Sequence, residues 1–196
     1  MFDHRPAAAE MARIVNGVRD DQLGDPTPCP DYTLGDLLEH VHGLSLAFAM
    51  AARKEQLQPS EGPPRGTASR LPPDWRSSIT ERLDALVAGW AEPSAWEGRV
   101  TVAGVDMTGA ETALVALDEL VVHGWDVARA SAQDYRADAP SVAGTEQFVA
   151  AFSGPEMAQA REGLFGPVVS VPDDASALDR VIGLAGRDPA WAPATR

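Results

Sequence analysis

Apolar residues recur at the i, i+3, i+4, i+7 spacing of an amphipathic helix in four places along the chain. The first, over about residues 6–18, puts Met11, Ile14, Val15 and Val18 on one side. The stretch GDPTPCPDYT then interrupts the chain, because each of its three prolines lacks a backbone donor and cannot continue a helix. Thr33 is placed to cap a second helix, with Asp36 in the reciprocal position of a capping box. Leu37, His40, Leu44 and Ala47 line one face of that helix. Residues 58–73 turn to Pro, Gly, Ser and Arg and read as a long surface loop that could close over a site.

A third helix is predicted from about residue 74 to residue 88, with Ile79, Leu83, Leu86 and Val87 as its buried stripe and Gly89 as its terminator. The segment WEGRVTVAGVDMTG alternates around Val100 and Val102 and has a glycine near its middle. It reads either as a small hairpin or as an irregular connection. The fourth helix, about residues 109–131, is apolar nearly all round from Ala113 to Val122, interrupted only by Asp118 and Glu119. A helix of that kind belongs at the centre of a fold, not on its surface. Two short helical stretches near residues 142–152 and 155–161 follow, then the turn-rich FGPVVSVPDD and a last helix over about residues 175–185. The expected architecture is mostly α. A four-helix bundle spans residues 1–134, and a short, partly helical C-terminal extension, residues 135–196, packs on it within a single structural domain.

The charge balance narrows the partners. With 29 acidic against 16 basic residues, the formal net charge is −13. That leaves no basic footprint for nucleic acid or for an anionic membrane surface. The sequence contains no apolar run long enough to span a bilayer, and MFDHRPAAAEMARIV lacks the layout of a secretory leader. Cys29 is the only cysteine, so a reducing, cytoplasmic setting is expected.

Glu119 and His123 stand four apart on the central helix and therefore share a face. His40 lies on the inward stripe of the second helix. Two imidazoles and a carboxylate brought together between adjacent helices suit a divalent transition metal, zinc above all, with nickel compatible, and leave a coordination position open. A metal is one way to offset the cost of a carboxylate in an apolar interior. A structural Glu119–His123 pair with His40 bonded elsewhere is the other reading of this spacing. Asp126, one turn beyond His123, could accept a hydrogen bond from a ligating imidazole or from bound substrate, or it could pair with Arg129 on the helix surface. His42 points to another side of its helix and reads as a surface or outer-layer histidine. Trp125 reads as core. Cys29, between two prolines with no neighbouring base, reads as a small buried hydrophobe, and His4 as part of a frayed terminus.

The stretches TPCPDYTLGDLLEHVHG, DELVVHGWDVARA and FGPVVSVPDDASALDRVIGLAGRDPAW together resemble the actinobacterial family related to the metal-binding domain of mycothiol-dependent maleylpyruvate isomerase, within the DinB/YfiT-like helical-bundle superfamily. That resemblance implies that His40, Glu119 and His123 match the family's metal ligands. It also implies mycothiol as co-substrate, its thiol activated by the metal to attack a small electrophile in an S-transferase or isomerase-like reaction. Only about 60 residues follow the fourth helix, too few for the α/β domain that completes the isomerase's site, so isomerisation of maleylpyruvate itself is not expected. A metal-dependent hydrolase and a non-catalytic metal-binding or regulatory module are the alternatives, and association into a homodimer through a bundle face is compatible with each.

Overall fold

The computed structural model describes residues 1–55 and 65–193. Four long helices, α1 (Arg5–Gly17), α2 (Leu34–Ala52), α3 (Trp75–Trp90) and α4 (Gly109–Ala130), form the bundle. Each of α1 and α2 packs against both α3 and α4, so the order around the bundle is α1, α3, α2, α4. The two helices that carry the candidate ligands are therefore neighbours. Ile14, Leu37, Leu38, Ile79, Leu83, Leu86, Trp90 and Leu117 fill the core between the four.

Both site-bearing helices start on reciprocal caps. Thr33 Oγ1 accepts from the Asp36 N–H at 3.3 Å while the Thr33 N–H donates to Asp36 Oδ2 at 3.0 Å, as the sequence predicts. Thr108 and Glu111 repeat the arrangement at α4, at 3.2 and 2.8 Å. The segment before α4 is a hairpin of β1 (Arg99–Val102) and β2 (Val105–Thr108), paired antiparallel from Arg99↔Thr108 to Val102↔Val105. Its two turn residues, Ala103 (φ +51°) and Gly104 (φ +82°), both take the left-handed conformation that a tight hairpin needs. Because β2 ends at Thr108, the cap of α4, the hairpin fixes where the central helix begins.

Several details depart from the sequence expectations. Gly89 does not end α3, which continues to Trp90; a β-carbon at Gly89 would lie 2.7 Å from Ala52 Cβ, so this glycine lets α2 and α3 approach. His4 is not frayed: it is buried, donates from Nε2 to the Ala113 carbonyl at 2.8 Å, and packs against Trp90 and Trp96. The expected loop over residues 58–73 lies outside the described residues as far as 64. Its remainder is laid along α2, where the Thr67 and Ala68 N–H groups donate to Glu39 Oε2 at 3.0 Å and Asp36 Oδ1 at 2.7 Å. Gly66 passes so close that a β-carbon there would collide with the Asp36 carbonyl and sit 2.9 Å from His40 Cβ.

Beyond the bundle, α5 (Ala139–Ala150) begins three residues before the expected 142, on an Asp138 cap with a proline in its first turn. Residues 155–161 form a 3-10 turn, Pro155–Met157, followed by the four-residue α6 (Ala158–Arg161). The last helix, α7 (Ala177–Leu184), starts at a Ser176 cap, two residues later than expected. α5 packs on both α4 and α7. The small apolar cluster of Val142, Val149, Val181 and Ala185 closes on Val122 of α4, so the extension borrows part of its core from the bundle. Among the described residues no helix is long and apolar enough to cross a membrane.

The caps predict their own test. Thr33→Ala and Thr108→Ala should each lower unfolding free energy by about 1 kcal/mol in urea titrations, the usual cost of a lost threonine cap.

Candidate metal centre

On α4, the i, i+4 spacing sets Glu119 and His123 side by side, with His123 Nε2 3.1 Å from Glu119 Oε2. Across the groove, α2 brings His40 Nε2 to 3.8 Å from the same oxygen. One donor atom from each of the three residues lies within 4.8 Å of the other two, and the imidazole rings meet nearly at right angles (87°) with centroids 5.1 Å apart. The structure thus brings together the three residues that the sequence singled out. Glu119 keeps part of its side chain open to solvent (26%), yet its Oε2 is buried and receives no well-directed hydrogen bond despite the nearby ring nitrogens. Two imidazole nitrogens and a carboxylate oxygen gathered in this way are a donor set that could hold a divalent cation.

The outer layer is equally specific. His123 Nδ1 donates to Asp126 Oδ2 at 3.0 Å, which leaves Nε2 as the nitrogen that faces Glu119. Of the partners that the sequence allowed Asp126, the imidazole and not Arg129 is the one found. Arg129 is not its partner: Asp126 has no exposure and turns inward, and Arg129 binds the Trp191 carbonyl instead. The cation beside Asp126 is Arg187, whose Nη2 donates to Oδ2 at 3.2 Å. Tyr32 stacks on His40, with ring centroids 5.3 Å apart and 28° between planes, and covers one face of that ring. A narrow, mostly apolar slot lined by Met11, Val41, Leu44, Phe48 and Leu120 reaches Glu119 from the bundle interior.

Burial opposes charge on each of these groups, and the partners outweigh it. For His123, the hydrogen bonds and charges of Asp126 and Glu119 overcome burial and raise the metal-free pKa to about 9. Glu119 is held below the ordinary carboxylate range by the two histidines, and Asp126 by Arg187 and His123. Asp118 is the exception. Burial and the neighbouring Glu119 charge push its carboxyl well up, and its Oδ1 has no hydrogen-bond partner.

The other residues that drew attention in the sequence lie outside this cluster. His42 shares a 2.8 Å hydrogen bond with Ser78 Oγ, and Arg82 caps its carbonyl, so it joins α2 to α3. Trp125 is core. Cys29 is half-buried, with its thiol pushed up to about 11 by burial, a poor nucleophile at neutral pH. Tyr32 and Arg187 were missed. Tyr32 adjoins a proline-rich break that carries no periodicity, and Arg187 lies 61 residues from Asp126, a separation at which no local pattern operates.

The comparisons with known proteins agree with this architecture. The mycothiol maleylpyruvate isomerase N-terminal domain family matches residues 4–128, and the chain belongs to that family. Uncharacterized proteins from two strains of Mycobacterium tuberculosis are each 28% identical over 134 residues, which is 68% of this chain and 68% of theirs. A crystal structure of a histidine-to-alanine mutant of the mycothiol-dependent maleylpyruvate isomerase superposes with a TM-score of 0.56 at 18% identity. That match covers 74% of this chain, and the chain spans 66% of the length of that structure. The fold is the DinB/YfiT-like helical bundle.

Asp118 yields a pH-dependent prediction. An acid whose folded pKa is raised loses stability as pH climbs from the unfolded value of about 3.8 through the folded one. Asp118→Asn should therefore raise Tm at pH 7, and the gain should vanish at the acid end, where wild type carries the protonated carboxyl. Thermal unfolding followed by circular dichroism at pH 3 to 8 checks both limits.

Proposed function

We propose that this chain is a metal-dependent enzyme that directs a small-molecule thiol, mycothiol, onto a small electrophile, as an S-transferase or as an isomerase that uses the thiol transiently. One observation carries the reading: two imidazole nitrogens and a buried carboxylate oxygen from adjacent helices converge, with one imidazole held from behind by a second carboxylate. A divalent ion bound there supplies Lewis acidity that lowers the pKa of a thiol toward neutrality.

The chain's own residues prepare that chemistry. His40 and His123 would hold the ion through neutral Nε2 atoms, and Glu119 would contribute one negative charge, so the centre stays net positive and favours an anionic sulfur. Asp126 fixes the orientation of the His123 ring by accepting from Nδ1. Tyr32 restricts the His40 ring from one side. Three protein ligands leave a position open for a co-substrate. The choice of a thiol over water rests on family membership, since the family's name and that of the related crystal structure both specify mycothiol. The strongly acidic chain fits small-molecule partners better than polyanions, and a reducing cytoplasm is where a free thiol co-substrate would persist.

Incubation of zinc-loaded protein with mycothiol and a panel of epoxides, activated halides and conjugated enoates, read by mass spectrometry, tests the proposal. The expected result is an S-conjugate, heavier by the thiol for an epoxide or enoate and carrying the thiolate in place of the released halide for a halide, or an isomer formed only when thiol is present, and each should be lost in His123→Ala. Products of hydrolysis that form without thiol would assign the site to water chemistry instead. No turnover in a metal-loaded protein across the panel would leave a binding module.

A further inference from the structure

The C-terminal extension sends one side chain to the rear of the metal centre. After α7, Gly186 takes a left-handed conformation (φ +80°) and packs so tightly on Gly166 that a β-carbon would lie 2.6 Å from its backbone. This turn bonds the Arg187 N–H to the Ile182 carbonyl at 3.0 Å. The guanidinium donates from Nη1 to the Ala185 carbonyl at 2.7 Å and from Nη2 to Asp126 Oδ2 at 3.2 Å. That same Oδ2 accepts from His123 Nδ1. A continuous chain of contacts therefore runs from the extension through Asp126 to a candidate ligand.

Asp126 has no exposure and Arg187 only 7%, so water solvates neither charge well. With His123 neutral, as a ligand must be, the guanidinium is the cation that balances Asp126. Removing one member of a buried ion pair leaves the other uncompensated, and the remaining carboxylate then reorients or draws in water. The His123 ring would lose its anchor in either event.

We infer that Arg187 is a positioning residue of the metal centre, acting through Asp126 to hold the His123 ring with Nε2 turned toward the ion, so that the C-terminal extension is a working part of the site. The inference rests on the metal-centre reading above, and its test separates the two. Partners behind a ligating histidine typically change metal affinity about 10- to 100-fold. Only one nitrogen of Arg187 meets Asp126, so a lysine ammonium at that position should recover much of the effect.

Zinc titrations of the metal-free, full-length protein, read by competition with a chromophoric chelator, compare wild type, Arg187→Met, Arg187→Lys, Asp126→Asn and the Asp126→Asn/Arg187→Met double variant. Arg187→Met should bind zinc about 10- to 100-fold more weakly. Arg187→Lys should recover most of that loss, and Arg187→Met should add nothing in the Asp126→Asn background. Equal affinity in wild type and Arg187→Met would overturn the inference while leaving the metal centre standing, as would equal losses in both backgrounds. No zinc binding by wild type would remove the metal centre itself and the inference with it. Should Arg187→Met fail to unfold cooperatively, the other single variants decide. Weak binding by Asp126→Asn with near-normal binding by Arg187→Lys supports the link, and wild-type affinity in Asp126→Asn breaks it.

Discussion

The carboxylate that α4 carries into the bundle is the constraint around which the rest of the molecule is arranged. Glu119 belongs to a helix otherwise apolar over most of its circumference, and an unbalanced charge there would cost several kcal/mol or neutralise itself. His123 one turn along and His40 on the neighbouring helix face it, Asp126 accepts from His123, and Arg187 pairs with Asp126. Each polar group in this series depends on the next. Asp118, beside Glu119, lies outside the series and has one oxygen without a partner.

Such a series needs helices that start where they should. A capping box opens α2 and another opens α4, and the hairpin delivers the chain to Thr108, so local hydrogen bonds fix where the helices that carry His40, Glu119 and His123 begin. The close approach of Gly66 to α2, the stacking of Tyr32 on His40, and the turn at Gly186 then fix what lies around the rings. The extension, with a small apolar cluster completed by Val122, docks on the same helix that carries two of the donors.

What the sequence disclosed follows from how far each interaction reaches along the chain. Helical period revealed the four bundle helices, and the i, i+4 rule revealed the Glu119–His123 face, because both are local. The helical pattern by itself marked His40 only as an inward-facing residue, and its place beside the α4 pair was implied by the family resemblance, because that convergence depends on which helices are neighbours. Spacing left Asp126 open between the His123 ring and Arg129; burial turns it away from the helix surface, toward His123 and toward Arg187, which no local pattern pointed to. His4 and Gly89 misled for a related reason. A terminal histidine and a glycine near a helix end carry ordinary local meanings, which here yield to a tryptophan wall and to close helix contact.

The most direct test of the account is the metal content of wild type and His123→Ala, purified without added metal or chelating resin and measured by elemental mass spectrometry. The account predicts about one divalent ion per chain in wild type, the capacity of a single three-ligand site, and its loss in the variant. A wild type that stays empty even after incubation with zinc or nickel would contradict it, and the three residues would then form a buried polar network inside a non-catalytic bundle.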